Sequence, residues 1–211
     1  MANHTHQHFR RLDIAREALD LGARRSVVQL ITGISERELR HVFGACPSLT
    51  ANCGGRPSSV DKLFHGRQLH LHACDFYNSF HHIFHRGVAP DEAMVVAYRH
   101  YQRRHPDDAR LGFDRAFSIV TSVCRLWTAA APSLKPVRCR TCGARFLTLI
   151  GASEHDDTPC TYCRLAKRLS RHGRVPTDEA QDQVALSTRV RLAVMAGTQG
   201  AATRAASSPI Q

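Results

Sequence analysis

Four cysteines in the second half of the chain, Cys139-Arg140-Thr141-Cys142 and Cys160-Thr161-Tyr162-Cys163, form two Cys-x-x-Cys pairs with residues 143–159 between them. Two intervening residues let one tight turn aim both thiols at a single ion, and two such turns complete a tetrahedron of soft donors. Gly143, directly after the first pair, admits the backbone conformation such a turn often needs. Disulfides would require an oxidising compartment. Met1–His8 lacks the apolar run of a secretory signal and no stretch reaches the length of a membrane span, so the expected location is cytoplasmic. A catalytic zinc keeps one position open for water, whereas four cysteines close the shell. The spacing therefore predicts one structural Zn²⁺ held by Cys139, Cys142, Cys160 and Cys163.

So small a module has little core of its own. It draws its folding free energy from the metal, on the order of 10 kcal/mol or more in zinc modules. Residues 145–150 are expected to supply a short strand with Phe146 over the site, and 164–172 a helix capped by Gly173. Four thiolates on one Zn²⁺ leave a charge of about minus two, which Arg138, Arg140, Arg145 and Arg164 are placed to offset.

The remaining basic residues have a different candidate role. The 211-residue chain carries 29 Lys and Arg against 18 acids, a net charge of +11, and much of that surplus falls between Lys135 and Arg174. Lys167, Arg168, Arg171 and Arg174 form a run without an acid, too far along to serve the sulfurs alone and suited to phosphate contacts. A merely solvated basic face is the competing reading.

Ahead of the cysteines the pattern is helical. Apolar residues recur at helical spacing at Leu12, Ala15 and Leu19; from Leu69 through Ala73, Phe76 and Phe80 to Ile83 and Phe84; at Met94, Ala97, Tyr98 and Tyr101; and from Phe113 through Ala116, Phe117, Val120 and Cys124 to Trp127. Strand-like alternation is scarce. The aromatic stripes read as core rather than as a cofactor pocket. The expected architecture is mainly α, with a helical domain over 1–132, a zinc module with its basic segment over 133–175, and a short helix and tail over 176–211.

Within the helical part, residues 24–44 suggest a helix-turn-helix. Val27, Leu30 and Ile31 mark one side of the first helix, Gly33 and Ile34 turn the chain, and Ser35-Glu36-Arg37-Glu38 is a capping box that starts the second. With Leu39, Val42 and Phe43 inward, Arg37, Arg40 and His41 face outward, where a recognition helix presents side chains to base edges. Any short helical hairpin can carry such a pattern, and Glu36 and Glu38 oppose a DNA face.

Other chemistry-bearing residues form no set. His81 and His85, with His82 beside them, lack a third ligand; His155 reads as a loop residue. Cys46, Cys53, Cys74 and Cys124 share no metal-like spacing and default to buried thiols. No nucleophile with a base, carboxylate pair or open metal site is assembled, which argues against an enzyme.

From about Leu12 to Arg174 the chain resembles the FlhC family of bacterial flagellar regulators. The similarity rests on Leu21-Gly22-Ala23-Arg24, Ile34-Ser35 with Leu39, Ala97-Tyr98 with Tyr101, Arg115-Ala116-Phe117, Cys142-Gly143, Phe146 and the four cysteines, which match the family's zinc ligands. The resemblance implies a cytoplasmic, mainly helical zinc protein that assembles with FlhD into a hetero-oligomer, binds promoter DNA and recruits RNA polymerase to flagellar genes. The segment from Cys46-Pro47 to Ser58-Ser59 replaces a proline-rich stretch expected in that family, and Phe64–His85 is unusually rich in histidine. A zinc-stabilised protein adaptor, or a divergent paralogue with another set of genes, are the alternatives.

Overall fold

The computed structural model describes residues 2–44, 60, 64, 66–151 and 159–171. It is mainly helical: α1 spans Ala2–Asp20, α2 Arg25–Thr32, α3 Glu36–Phe43, α4 Arg67–Phe84, α5 Pro90–Arg104 and α6 Phe113–Cys124. A hairpin of β1 (Leu134–Arg138) and β2 (Arg145–Leu149) follows, then α7 (Thr161–Arg171). Two compact units divide the chain, Met1–Cys163 and Arg164–Gln211; of the second only the helical segment 164–171 is described.

The core of the first unit is built on the α4–α5 hairpin. Phe76 meets Tyr98 and Tyr101 edge-on, and Ala73, Phe76, Phe80, Met94, Ala97 and Tyr101 are fully buried. Fully burying a side chain of this size stabilises by roughly 1.5–3 kcal/mol, so the stripes read from the sequence are the core. Pro90 opens α5, with Asp91 and Glu92 in its first turn and Arg103 and Arg104 in its last, each charge on the favourable end of the helix dipole. Helix α1 lies along α5, tied by Arg10–Glu92 at 2.9 Å and Arg99–Glu17 at 2.8 Å. These pairs are solvent-facing and set direction more than stability.

Two tyrosines of α5 hold the loop that leads to α6. The Tyr98 hydroxyl donates to Leu111 O at 2.9 Å, and Leu111 N–H donates to the Tyr101 hydroxyl at 3.1 Å. The Tyr101 oxygen also bonds His72 Nδ1 at 2.8 Å, joining α4 to the same point. At the end of α6 the helix stops at Cys124, and Trp127 lies beyond it, stacked on Phe117 at 5.5 Å between ring centroids.

The pair α2–α3 forms as the sequence suggests, with corrections in detail. Gly33 adopts φ 70 and its N–H closes on Gln29 O, a left-handed cap that a side chain would strain. Val27, Val28, Ile31 and Thr32 are the buried residues of α2, whereas Leu30 is 46% exposed. On α3 only Leu39 is fully buried; Phe43 is partly covered and Val42 is exposed. Ser35 Oγ accepts from Glu38 N–H at 3.3 Å, but the return half of the capping box is replaced: the Glu38 carboxylate meets His8 Nε2 at 3.2 Å. The start of α2 is held from α6, where the Asp114 carboxylate accepts from Arg24 N–H at 3.0 Å and from Arg24 Nε at 2.8 Å.

The hairpin departs most from the sequence reading. Strand β1 is not expected from the sequence, because Leu134-Lys135-Pro136-Val137-Arg138 carries a proline that removes a ladder donor. Pro136 stands opposite Leu147, whose N–H and C=O are turned away from β1 toward α4, so the missing N–H leaves no partner wanting. Leu147, not Phe146, is the buried residue of β2, 1% exposed and part of one core with Leu134 and the helices. Helix α7 starts at Thr161, three residues before the expected Arg164, and therefore contains Cys163. The expected short helix and tail over 176–211, together with Cys46, Cys53, His155 and Gly173, lie outside the described residues.

Candidate metal centre

The β1–β2 turn fixes the first cysteine pair. Cys139 N–H donates to Ala144 O at 2.9 Å and Gly143 N–H to Cys139 O at 2.8 Å, with Gly143 at φ 66, so the chain folds back over the two thiols. The second pair is set by a helix start. Cys160 precedes α7 and its sulfur accepts the Cys163 N–H at 3.4 Å, the bond an N-cap residue makes. The Cys160 sulfur thus accepts a backbone N–H from the first turn of α7, and Cys163 stands within that turn.

The four Sγ atoms all lie within 4.8 Å of one another, with Cys139–Cys163 at 3.8 Å and Cys142–Cys160 at 3.5 Å. All four cysteines are free. A tetrahedral ion with bonds of about 2.3 Å to sulfur requires sulfurs about 3.8 Å apart, so the donor set fits a soft cation with sub-ångström adjustment. Among the described residues this is the one cluster of three or more ligand-type side chains able to hold a metal. The backbone N–H of Cys142 is the main cause that holds the Cys139 thiol down to about 6, while burial pushes Cys160 and Cys163 up. A bound cation lowers every coordinating thiol and removes that asymmetry. Arg138 and Arg145 face each other across the hairpin beside the thiols, a like-charge pair that an anionic metal–thiolate cluster would offset.

Behind the cluster, α4 presents three polar groups one turn apart. His70 Nε2 lies 2.9 Å from Leu147 O, Cys74 Sγ accepts from Leu147 N–H at 3.3 Å, and Asn78 Nδ2 donates to Arg145 O at 3.1 Å. The outer edge of β2 is therefore satisfied by a helix rather than by a third strand. Cys74, 1% exposed, has its thiol pushed up to about 12 by burial, and its sulfur serves this contact outside the metal cluster. Sequence reasoning missed His70 and Asn78; their spacing with Cys74 along one face of an otherwise apolar helix was the available signal.

The other site candidates are not part of this cluster. Arg37, Arg40 and His41 are exposed on α3, with Arg40 paired to Glu36, which also reaches Arg25 at 3.5 Å. Lys167 and Arg168 are exposed on α7; Arg171 is its last residue, and Arg174 lies outside the described residues. His81 and His85 lie with ring centroids 3.9 Å apart and planes tilted by 47°, and no third ligand joins them among the described residues. No helix among those residues is long and apolar enough to cross a membrane.

A mainly helical body carrying a short β-hairpin and a cluster of four cysteines able to hold a metal ion defines a candidate metal-binding protein. The family model for the flagellar transcriptional activator FlhC matches residues 3–175. The chain belongs to the FlhC family. Among its relatives, the flagellar transcriptional regulator FlhC of Sodalis glossinidius (strain morsitans) is 26% identical over 183 residues, covering 84% of this chain and 89% of that protein. That of Paraburkholderia atlantica is 28% identical over 169 residues, covering 78% and 73%, and that of Burkholderia lata 26% over 202 residues, covering 92% and 89%.

Proposed function

We propose that this chain is a cytoplasmic, DNA-binding subunit of a flagellar transcriptional activator, with one structural Zn²⁺ on Cys139, Cys142, Cys160 and Cys163. In this reading it works with an FlhD-type partner in a hetero-oligomer at promoter DNA and helps recruit RNA polymerase, without catalysis of its own. The functional division is a helical domain over 1–132, the zinc module with its basic segment over 133–175, and the end of the chain over 176–211. The observation that carries the reading is the closed four-cysteine cluster followed at once by the basic helix α7, in a chain of a transcriptional-activator family.

Phosphate contact falls to Lys167, Arg168, Arg171 and Arg174, a basic run with no acid within it. Base-edge contact falls to Arg37, Arg40 and His41, on a helix whose start Ser35 caps. The pairing of Arg40 with Glu36 means that DNA must compete for this guanidinium, so Arg37 is the freer reader. Through Cys160 and Cys163, zinc ties the first turn of α7 to the hairpin.

The test is promoter binding by the purified chain, with and without an FlhD-type partner, across a salt series. A DNA-binding subunit loses affinity linearly on logarithmic axes as salt rises, and replacing Lys167 and Arg168 by Ala flattens the slope by about 2. Arg37→Ala shifts site preference instead of slope. Absence of binding under every condition would favour the zinc-stabilised adaptor, and tight binding confined to non-flagellar promoters the divergent paralogue.

A further inference from the structure

The four sulfurs come from two pieces of chain, a hairpin turn and a helix start, which need a common support if they are to meet one ion at the right separation. Helix α4 touches both. The Leu147 carbonyl has no proton, so His70 must donate to it from Nε2; in the neutral ring Nδ1 then accepts from the Thr161 hydroxyl, 2.8 Å away. One imidazole thus joins β2 to the residue that follows Cys160. Two turns further along the same face, Asn78 donates to Arg145 O at 3.1 Å. A second side chain of α4 thereby holds the residue that opens β2, on the strand that leads away from the first cysteine pair. Cys74, between them, takes the Leu147 N–H. The His70 ring is further fixed by Phe64, at 4.8 Å between centroids.

We propose that His70 and Asn78 are positioning residues of the metal centre: α4 is a preformed template that sets the hairpin and the α7 start in register, so that the two cysteine pairs present a ready tetrahedron. The template belongs to the helical body, where Ala73, Cys74, Phe76, Tyr77 and Phe80 are buried, and so stands whether or not a metal is bound. The metal then meets a site whose ordering has largely been done in advance, and this raises affinity and slows release. The inference rests on the reading of the cysteines as a metal site.

The test is Co²⁺ and Zn²⁺ affinity of the full chain, measured by competition with a chromophoric chelator, with helical content followed by circular dichroism. His70→Ala and Asn78→Ala are expected to weaken the metal by about 10–100-fold while keeping the thiolate-to-Co²⁺ absorption of the wild type at saturation. His70→Gln, which can still donate an N–H to Leu147 O, recovers part of the loss. Thr161→Val removes only the hydroxyl, and combining it with His70→Ala should cost less than the sum of the two losses, because both act on one bond. Wild-type affinity in both Ala variants, or additive losses in the double variant, overturns the template. If His70→Ala unfolds the helical body, Thr161→Val decides by itself, and wild-type affinity there overturns the template. A wild-type chain that takes up no metal overturns the metal reading itself, a result distinct from all of these.

Discussion

Replacing Tyr101 by Phe tests the packing that supports the metal module without touching its ligands. Tyr101 is fully buried, and Phe fills the same space, so the apolar contribution of the ring is kept. The hydroxyl is lost from two bonds at once: Leu111 N–H, on a residue 1% exposed, loses its acceptor, and His72 Nδ1 loses its partner at 2.8 Å. A buried polar group left without a partner costs about 1–3 kcal/mol. The expected destabilisation is about 2–4 kcal/mol, or a fall in Tm of roughly 5–15 °C for a unit of this size. Tyr98→Phe is the internal control: it deprives only the Leu111 carbonyl, which keeps a second lone pair, and should cost about half as much. Urea denaturation followed by far-UV circular dichroism reads both variants. A change below about 0.5 kcal/mol in Tyr101→Phe would refute the assignment of this hydroxyl as a buried three-way junction.

Two further outcomes follow from the same structure. Burial, followed by the charge of Arg145, holds His81 down to about 4, and burial followed by His105 lowers His72. The unfolded chain therefore takes up protons between about pH 6.5 and 4 that the folded chain refuses, so this stability is present in full above 6.5 and declines as pH falls through that window. His81→Gln should flatten the decline in a Tm-against-pH series, and superimposable profiles would remove His81 from the account. Ser35→Ala should cost about 1 kcal/mol and raise amide exchange in the first turn of α3 while α4–α6 keep their protection, because the lost bond from Glu38 N–H is local and exposed; uniform loss of protection would contradict that.

The helices were legible wherever an apolar stripe faced a single core, as from Phe76 to Phe84 or from Phe113 to Val120, because periodicity alone decides which side is buried. At Leu30 and Val42 the same rule failed. Whether the margin of a short helix is covered depends on neighbours from elsewhere in the chain, and α2 and α3 are each a little over two turns long. The four cysteines were legible because the chemistry is local to each Cys-x-x-Cys turn. What aligns the two turns is not local: His70, Cys74 and Asn78 act on Leu147, Arg145 and Thr161 across long stretches of sequence. Strand β1 was hidden by Pro136, harmless only in the register it adopts opposite Leu147. Glu38 matched a local motif and yet turned to His8, a partner that tertiary structure supplies.

The central claim is that four thiolates close the coordination shell of one structural metal ion, and X-ray absorption at the zinc edge of the purified full chain measures that directly. The account predicts one zinc per chain with a shell of four sulfurs at about 2.3 Å and no nitrogen or oxygen ligand. A shell with a light-atom ligand in place of a sulfur, or a purified chain that takes up no zinc, would contradict it.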